Sequence, residues 1–499
     1  MGVEIYNNIR LSKEDSEHLY IQLYKSIKEL ILGGKLMEGD RLPPVRKMAK
    51  MMEVNNVTIV KAYEILEKEA LVYKRIGSGT YIAHQIKGDD PEGIEEETHQ
   101  AINKHRLLDQ GQIKIEENTI NFASATPSAE LFPVDDFKQV LNDVLDRDKG
   151  NAFGYQEGQG YYPLREILGS YVKEYGINVD AENIQVISGA QQGIDLVSKA
   201  LLNYGDYVII EGPSYTGAIA AFQSRGARII DIPLEYDGLN LEILEKKIQS
   251  NRPKLLYIMP NFQNPTGVSY TREKKEKLLE ICKNYGVYIM EDDYLSELNY
   301  YHDDTSTLKS IDKENIVIYV KSFSKIFMPG LRLGFLVIPN NLHGRLLMAK
   351  HTTDISTSGL LQRALELYLK KGIWQQHLRY MEGKYKERFE KMISCIEAYM
   401  PSEVEYILPR GGVNFWFKLP SNCSSQQLYE LAVNENIVFA PGNLFHLNNF
   451  HDEYFRLSIA AVSPPEIEVG MRQLCKIMEE YINKYKSSVV RASTIKPIL

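Results

Sequence analysis

The stretch Ser322-Phe323-Ser324-Lys325-Ile326-Phe327-Met328-Pro329-Gly330-Leu331-Arg332-Leu333-Gly334 decides the reading of the chain. Apolar runs of strand length flank it, at residues 316–320 and 334–338. A lone lysine is usually a solvated surface charge. Here Lys325 and Arg332 stand seven residues apart between two strands, in a motif whose resemblance, given below, sets that reading aside. Further out, apolar strands fall at 184–188, 207–211, 228–232, 255–259 and 287–290, with amphipathic helices such as 191–202 and 272–285 between them. Strands alternating with helices imply βαβ units and a mostly parallel sheet, so the fold class is α/β. Helical periodicity over 361–380 and 385–399, followed by mixed strands, predicts a smaller α+β lobe. No internal repeat is found.

The 499 residues are enough for two or three domains. With 44% hydrophobic and 25% charged residues the composition is that of an ordinary globular protein. No apolar run approaches the roughly 18 residues that would span a bilayer, and the start of the chain shows no signal-peptide core. Cys282, Cys395, Cys423 and Cys475 lie far apart without CxxC pairing. That speaks against a disulfide framework or a metal site and predicts a cytoplasmic setting.

The net charge of −8 argues against a nucleic-acid partner until it is divided. Residues 1–84 hold 13 Lys/Arg and 11 Asp/Glu, a net of +2, which leaves −10 for the rest; residues 41–80 alone carry +4. In the N-terminal part Tyr20, Leu23, Ile27, Leu30 and Ile31 mark an amphipathic helix ended by Gly33-Gly34. Val45, Met48, Ala49 and Met52 mark a second, and Ile59, Ala62, Tyr63 and Leu66 a third. Only Glu53-Val54-Asn55-Asn56 separates the last two, a tight turn with an Asn able to cap. Leu71-Val72-Tyr73 and Thr80-Tyr81-Ile82 around Gly77-Ser78-Gly79 predict a hairpin. Three helices and a hairpin in this order form a winged helix-turn-helix. The domains expected are a winged helix at 1–84, an acidic linker at 85–118 with a short helix near 101–108, an α/β body at 119–485 and a basic tail at 486–499.

This N-terminal part resembles the GntR winged-helix family over roughly residues 18–83. The match rests on Tyr20, Gln22 and Leu23; Gly34, Leu36, Gly39, Asp40, Leu42, Pro43, Pro44 and Arg46; Ala49, Val54, Thr58, Ala62, Tyr63 and Leu66; and Gly77-Ser78-Gly79-Thr80-Tyr81. The resemblance implies double-stranded DNA as partner, with Arg46 and Thr58 on phosphate or bases and Gly77 in the wing. An exposed Arg can neutralise a phosphate, and Asn55 and Asn56 at a helix start can reach base edges, Asn best to adenine. Asn56 stands where the family usually has Arg, which removes a guanine reader. The alternative is that Asn55 and Asn56 are only turn and cap residues.

Residues 119–485 resemble fold-type I, class I/II aminotransferases, which use pyridoxal 5′-phosphate (PLP). In this resemblance Lys325 forms the Schiff base, since only a primary amine condenses with the aldehyde. Ser322 and Arg332 hold the phosphate, with Gly189, Ala190 and Gln191 of Ser188-Gly189-Ala190-Gln191-Gln192 at a helix start. Tyr215 stacks on the ring, and Asn264 of Asn264-Pro265-Thr266-Gly267 meets its phenolic oxygen. In Glu291-Asp292-Asp293-Tyr294, Asp292 pairs with the pyridine nitrogen, Asp293 being the alternative, and Tyr294 lies near the phenolic oxygen. Arg456 clamps an α-carboxylate, Asn414 is a further candidate for the pocket wall, and Tyr155 reaches the phosphate of a neighbouring subunit, implying a homodimer. No metal is implied.

The two halves together are the layout of the MocR/GabR subfamily of GntR regulators. That implies a PLP-dependent transcription regulator whose effector is an amine, an amino acid or PLP itself, with at most slow or half-transamination. A catalytically active aminotransferase with an accessory winged helix, and a PLP-carrying structural dimer without a DNA role, are the alternatives.

Overall fold

The computed structural model describes residues 19–32, 36, 40, 42–52, 54–68, 71–75, 79–82, 118–447 and 452–493. The chain divides into two compact units, residues 1–103 and 104–499.

The first unit holds helices α1 (Leu19–Leu32), α2 (Val45–Met51) and α3 (Asn56–Lys68) and strands β1 (Val72–Arg75) and β2 (Gly79–Ile82). The 3.6-residue spacing of apolar side chains puts Leu23, Ile27 and Ile31 of α1 and Ile59, Ala62, Tyr63 and Leu66 of α3 into one core with Leu42, Met48 and Val72. The β1–β2 pair is antiparallel, Val72 opposite Ile82 and Arg75 opposite Gly79. Leu42 N donates to Thr80 O at 2.9 Å, and Tyr63 OH to Pro43 O at 2.8 Å, which tie the hairpin and α3 to the segment before α2. This is the winged helix order expected from the sequence. The expected linker, the short helix near 101–108 and the Gly77 turn lie outside the described residues.

The second unit is built on eight strands: β4 (Ile184–Ile187), β5 (Tyr207–Gly212), β6 (Arg228–Glu235), β7 (Gly238–Leu239), β8 (Leu255–Ile258), β9 (Tyr288–Asp293), β10 (Val317–Ser322) and β11 (Gly334–Val337). Their order is β4-β11-β10-β9-β8-β5-β6-β7. Neighbours from β10 across to β6 run parallel; β11 is antiparallel to both β10 and β4. Strands β4, β8 and β10 are buried along their whole length, as a sheet covered by helices on both faces requires. A short strand β3 (Ile120–Asn121) pairs with β14 (Ile437–Val438). The smaller lobe carries a four-stranded antiparallel sheet, β12 (Glu405–Tyr406), β13 (Asn414–Lys418), β16 (Tyr454–Ser458) and β15 (Ala440–Pro441).

The helical part of this lobe differs from the sequence expectation in its break. The periodicity suggested helices at 361–380 and 385–399; the observed helices are Gly359–Lys370 and Ile373–Tyr399. Gly372 takes φ 71°, a left-handed conformation that ends the first helix. Gly383 stands between 380 and 385 but does not take a positive φ, so the second helix runs on through it. The helix Pro464–Ser493 likewise continues through the boundary expected at 485.

Candidate functional site

Parallel strands bring their carboxyl ends to one edge of the sheet, where α/β proteins place ligands. Here that edge opens onto a cavity of about 700 Å3. Ala190 and Gln191 follow β4, Tyr215 follows β5, Asn264 follows β8, Asp292 and Tyr294 close β9, and Ser322 ends β10, with Lys325 and Arg332 beyond it; all line this cavity.

Lys325 sits in the turn after β10. Its Nζ lies 3.4 Å from Thr126 Oγ1. Desolvation, with the positive fields of Arg456 and Arg332 added and that of Asp292 opposing, pushes its ammonium down to about 7. A lysine so placed is in large part an uncharged nucleophile at neutral pH.

Asp292 and Asp293 are successive residues of one strand, so their side chains leave opposite faces. Asp292 lines the cavity. Its Oδ2 accepts from Tyr257 OH at 2.7 Å, and its Oδ1 has no hydrogen-bond partner. Burial pushes its carboxyl up to about 6 against the pull of Tyr257. Asp293 is spent inside the protein. Tyr319 OH donates to it at 2.7 Å, Ser296 N at 3.0 Å, and Lys321 Nζ lies at 3.3 Å. Burial alone would raise Asp293, but Lys321 and these donors hold it below the usual carboxylate range.

Asn264 and Arg456 act as a pair. Arg456 Nη1 donates to Asn264 Oδ1 at 2.8 Å and Nη2 to Ala123 O, while its guanidinium stacks 5.1 Å from the Phe445 ring centre. The buried Nε of Arg456 has no partner. Desolvation pulls this guanidinium down to about 10, so it stays charged across the neutral range. Arg456 is reached through Asn264 rather than lining the cavity wall itself. Tyr294 OH donates to Phe262 O and accepts from Asn414 Nδ2 at 3.1 Å. Asn414 therefore stands behind Tyr294 and off the wall.

Arg332 Nη2 donates to Ser188 O at 3.0 Å, which sets it beside the first turn of helix α4 (Ala190–Leu201). Gly189 caps that helix at φ 85°, and a Cβ there would lie 2.7 Å from Arg332 Nη2. Only glycine meets both demands. Gln192 Oε1 accepts from Ser188 N at 2.7 Å and from the buried Lys350 Nζ at 3.2 Å, so the turn is clamped from behind. Tyr215 OH donates to Gln191 Oε1 at 3.3 Å. The positive end of α4 with Arg332 beside it favours an anion.

Tyr155 is 89% exposed and is not part of its own chain's cavity. The sequence reading missed Thr126, Gly217, Met259 and Ser324 on the wall and Tyr257 behind Asp292. Ser324 stood within the quoted lysine motif; the others carry no local pattern, because long-range packing brings them in.

In the first unit Asn55 Oδ1 accepts from Thr58 N at 2.8 Å and Thr58 Oγ1 at 2.9 Å, so Asn55 caps α3. Thr58 is thereby drawn into the cap. Asn56 is exposed at the first turn of α3. The side chain of Arg46 and all of Gly77 lie outside the described residues.

Residues 117–474 match the family described as aminotransferase class I and II, and residues 19–82 match the bacterial regulatory proteins of the GntR family. The chain belongs to the MocR-like regulators, a GntR winged helix fused to a class I/II aminotransferase domain. The HTH-type transcriptional regulator YdfD of Bacillus subtilis (strain 168), itself uncharacterized, is 32% identical over 93% of this chain and 97% of its own length. Among solved structures, the multiple substrate aminotransferase of Thermococcus profundus is 30% identical with a TM-score of 0.72, covering 77% of this chain and 96% of its own. LysN, the alpha-aminoadipate aminotransferase of Thermus thermophilus, solved with N-(5′-phosphopyridoxyl)-L-leucine, is 32% identical with a TM-score of 0.70, covering 76% of this chain and 97% of its own. The MocR-like second domain thus has the fold of PLP-dependent class I/II aminotransferases. No helix among the described residues is long and apolar enough to cross a membrane, and no described cluster of His, Cys, Asp or Glu could hold a metal ion.

Proposed function

We propose that this chain is a PLP-dependent transcription regulator that binds promoter DNA through its winged helix and senses an amine, an amino acid or PLP itself at Lys325. The observation that carries it is one cavity lined by the desolvated Lys325 and by Asp292, whose Oδ1 has no hydrogen-bond partner, with Arg456 behind Asn264, in a chain that also carries a GntR unit.

These residues fit the cofactor group by group. When bound, PLP supplies an aldehyde that condenses with primary amines and a pyridine ring that draws electrons. Asp292 Oδ1 would accept from the ring nitrogen and keep a proton there. Asn264, its Oδ1 taken by Arg456, keeps Nδ2 as a donor for the phenolic oxygen, beside Tyr294. Ser322, Arg332 and the turn at Gly189, Ala190 and Gln191 would hold the phosphate, and Tyr215 would cover the ring. Arg456 would orient an effector carboxylate. Tyr155, exposed on its own chain, would reach the phosphate of a second subunit in a homodimer. The division into 1–84, 85–118, 119–485 and 486–499 belongs to this reading, as does a cytoplasmic location.

Completeness of the site favours a second reading, an active aminotransferase with an accessory winged helix: no expected residue is replaced. Absorption titration of the PLP-loaded protein with a panel of amines and amino acids, alongside gel shifts of its own promoter fragment, tests both. The regulator reading expects an amine that moves the absorption band and changes DNA retention, with retention falling steeply as salt rises. Many turnovers with a keto acid and no effect on DNA retention would favour the enzyme. No retention of DNA at any salt would overturn the regulator.

A further inference from the structure

Helix α3 buries one side and turns an apolar edge outward on the other. Ile59, Ala62, Tyr63 and Leu66 fill the core of the first unit. Val57 is 60% exposed and Val60 40% exposed. Three residues apart, they stand on the same side of the helix, with Asn56 and Lys61 next to them, also exposed. Helix stability does not ask for these residues. Valine is a poorer helix former than the alanine, lysine or glutamate that an exposed helix position would favour. Two neighbouring branched apolar side chains in water also forgo the gain of burial.

The charge of the unit indicates what would cover them: Lys47 and Lys50 of α2 and Lys61 of α3 itself are exposed and supply positive charge suited to a polyanion. Among base-pair edges in the major groove, the thymine C5-methyl is the apolar feature; the other groups are hydrogen-bond donors and acceptors. Asn, like Gln, can pair bidentately with adenine. An Asn beside two valines on one helix edge therefore complements A·T pairs.

We infer that Val57 and Val60 are specificity-determining residues that pack on thymine methyl groups in the major groove, so that the operator half-site carries thymines where α3 enters. The inference rests on the DNA-binding reading above.

The test first selects duplexes with the full-length protein from a random pool. The selected duplex is then made with deoxyuridine replacing thymidine at single positions, which removes the methyl and keeps the hydrogen-bond pattern. Loss of one buried methyl is expected to weaken binding about fourfold at one or two thymines per half-site. In the variants Val57→Ala and Val60→Ala the thymine-over-uracil preference at the matching position should vanish, while binding still falls with salt. Both residues are exposed and alanine favours helix, so these variants should fold; circular dichroism checks that. Equal affinity for thymine and uracil duplexes in the unaltered protein would overturn the inference and leave DNA binding standing. So would a preference that survives both substitutions. Failure to enrich any duplex would overturn the DNA-binding reading and this inference with it.

Discussion

Residues 104–499 and residues 1–103 use their polar groups in opposite ways. In the larger unit Asp292, Lys325 and Arg456 are taken out of water, and desolvation is the largest cause of each shift. In the winged helix Asn55, Asn56, Lys47, Lys50 and Lys61 lie on the surface. A buried site carries its chemistry before a ligand arrives, because the fold has already removed the solvent. A surface acquires its chemistry from the partner that covers it. Added salt should therefore separate the two, weakening DNA binding steeply and retention of PLP little.

The largest effect that would break this comparison is at Lys325. Lys325→Ala should abolish covalent retention of PLP, read as mass added after borohydride reduction, and leave salt-sensitive DNA binding in place. Retained covalent cofactor would move the anchor to another residue. Next is Arg456. Its replacement by Ala leaves Asn264 Oδ1 and Ala123 O without a donor and removes the carboxylate partner. Affinity for a carboxylate-bearing effector should fall by about 2–5 kcal/mol, roughly 30-fold or more. Arg456→Lys should not restore it, because the three donors of an ammonium sit on one nitrogen and cannot span Asn264 Oδ1, Ala123 O and a ligand carboxylate as the planar guanidinium fork does. Binding of PLP alone should change far less.

A smaller effect lies in the pH profile. The reactive form of Lys325 is the neutral amine, and its pKa is lowered, so the neutral fraction rises as pH climbs through about 7. The rate at which cofactor-free protein takes up PLP should rise with a midpoint near 7 and then level off. A midpoint near 10, roughly that of an ordinary lysine, would show that desolvation does not govern the site. The smallest is at Asn55. Asn55→Ala removes the cap on α3 and should cost the winged helix about 1 kcal/mol, seen as earlier unfolding of that unit with the PLP spectrum unmoved.

The same contrast explains what could be read from the sequence. That Lys325, Arg332, Asn264 and Gly189 come to one edge of the sheet was legible, because each lies in a short motif in the turns that follow the apolar strands β10, β8 and β4. The strands were legible because burial on both faces demands continuous apolar runs. Tyr257 was not, since its role comes from β8 lying beside β9, where it reaches Asp292 from 35 positions away. Thr126 and the Ala123 carbonyl reach the site from the start of the second unit for the same reason. In α3 the spacing marks the buried face, while the outward position of Val57 and Val60 becomes visible only once the core is known. The sequence allows Asn55 a base contact or a cap, and its side-chain oxygen accepts from Thr58 as a cap does.

A regulator of this kind requires that occupancy of the Lys325 cavity be felt on DNA. The most direct measurement is the affinity of PLP-loaded protein for its promoter fragment, with and without a saturating amine that moves the absorption band, in the unaltered chain and in Lys325→Ala. A coupled regulator should show a change of about fivefold or more in the unaltered chain, near the lower bound of a typical coupling between sites, and none in the variant. Equal affinities in the unaltered chain, with the band fully moved, would contradict it.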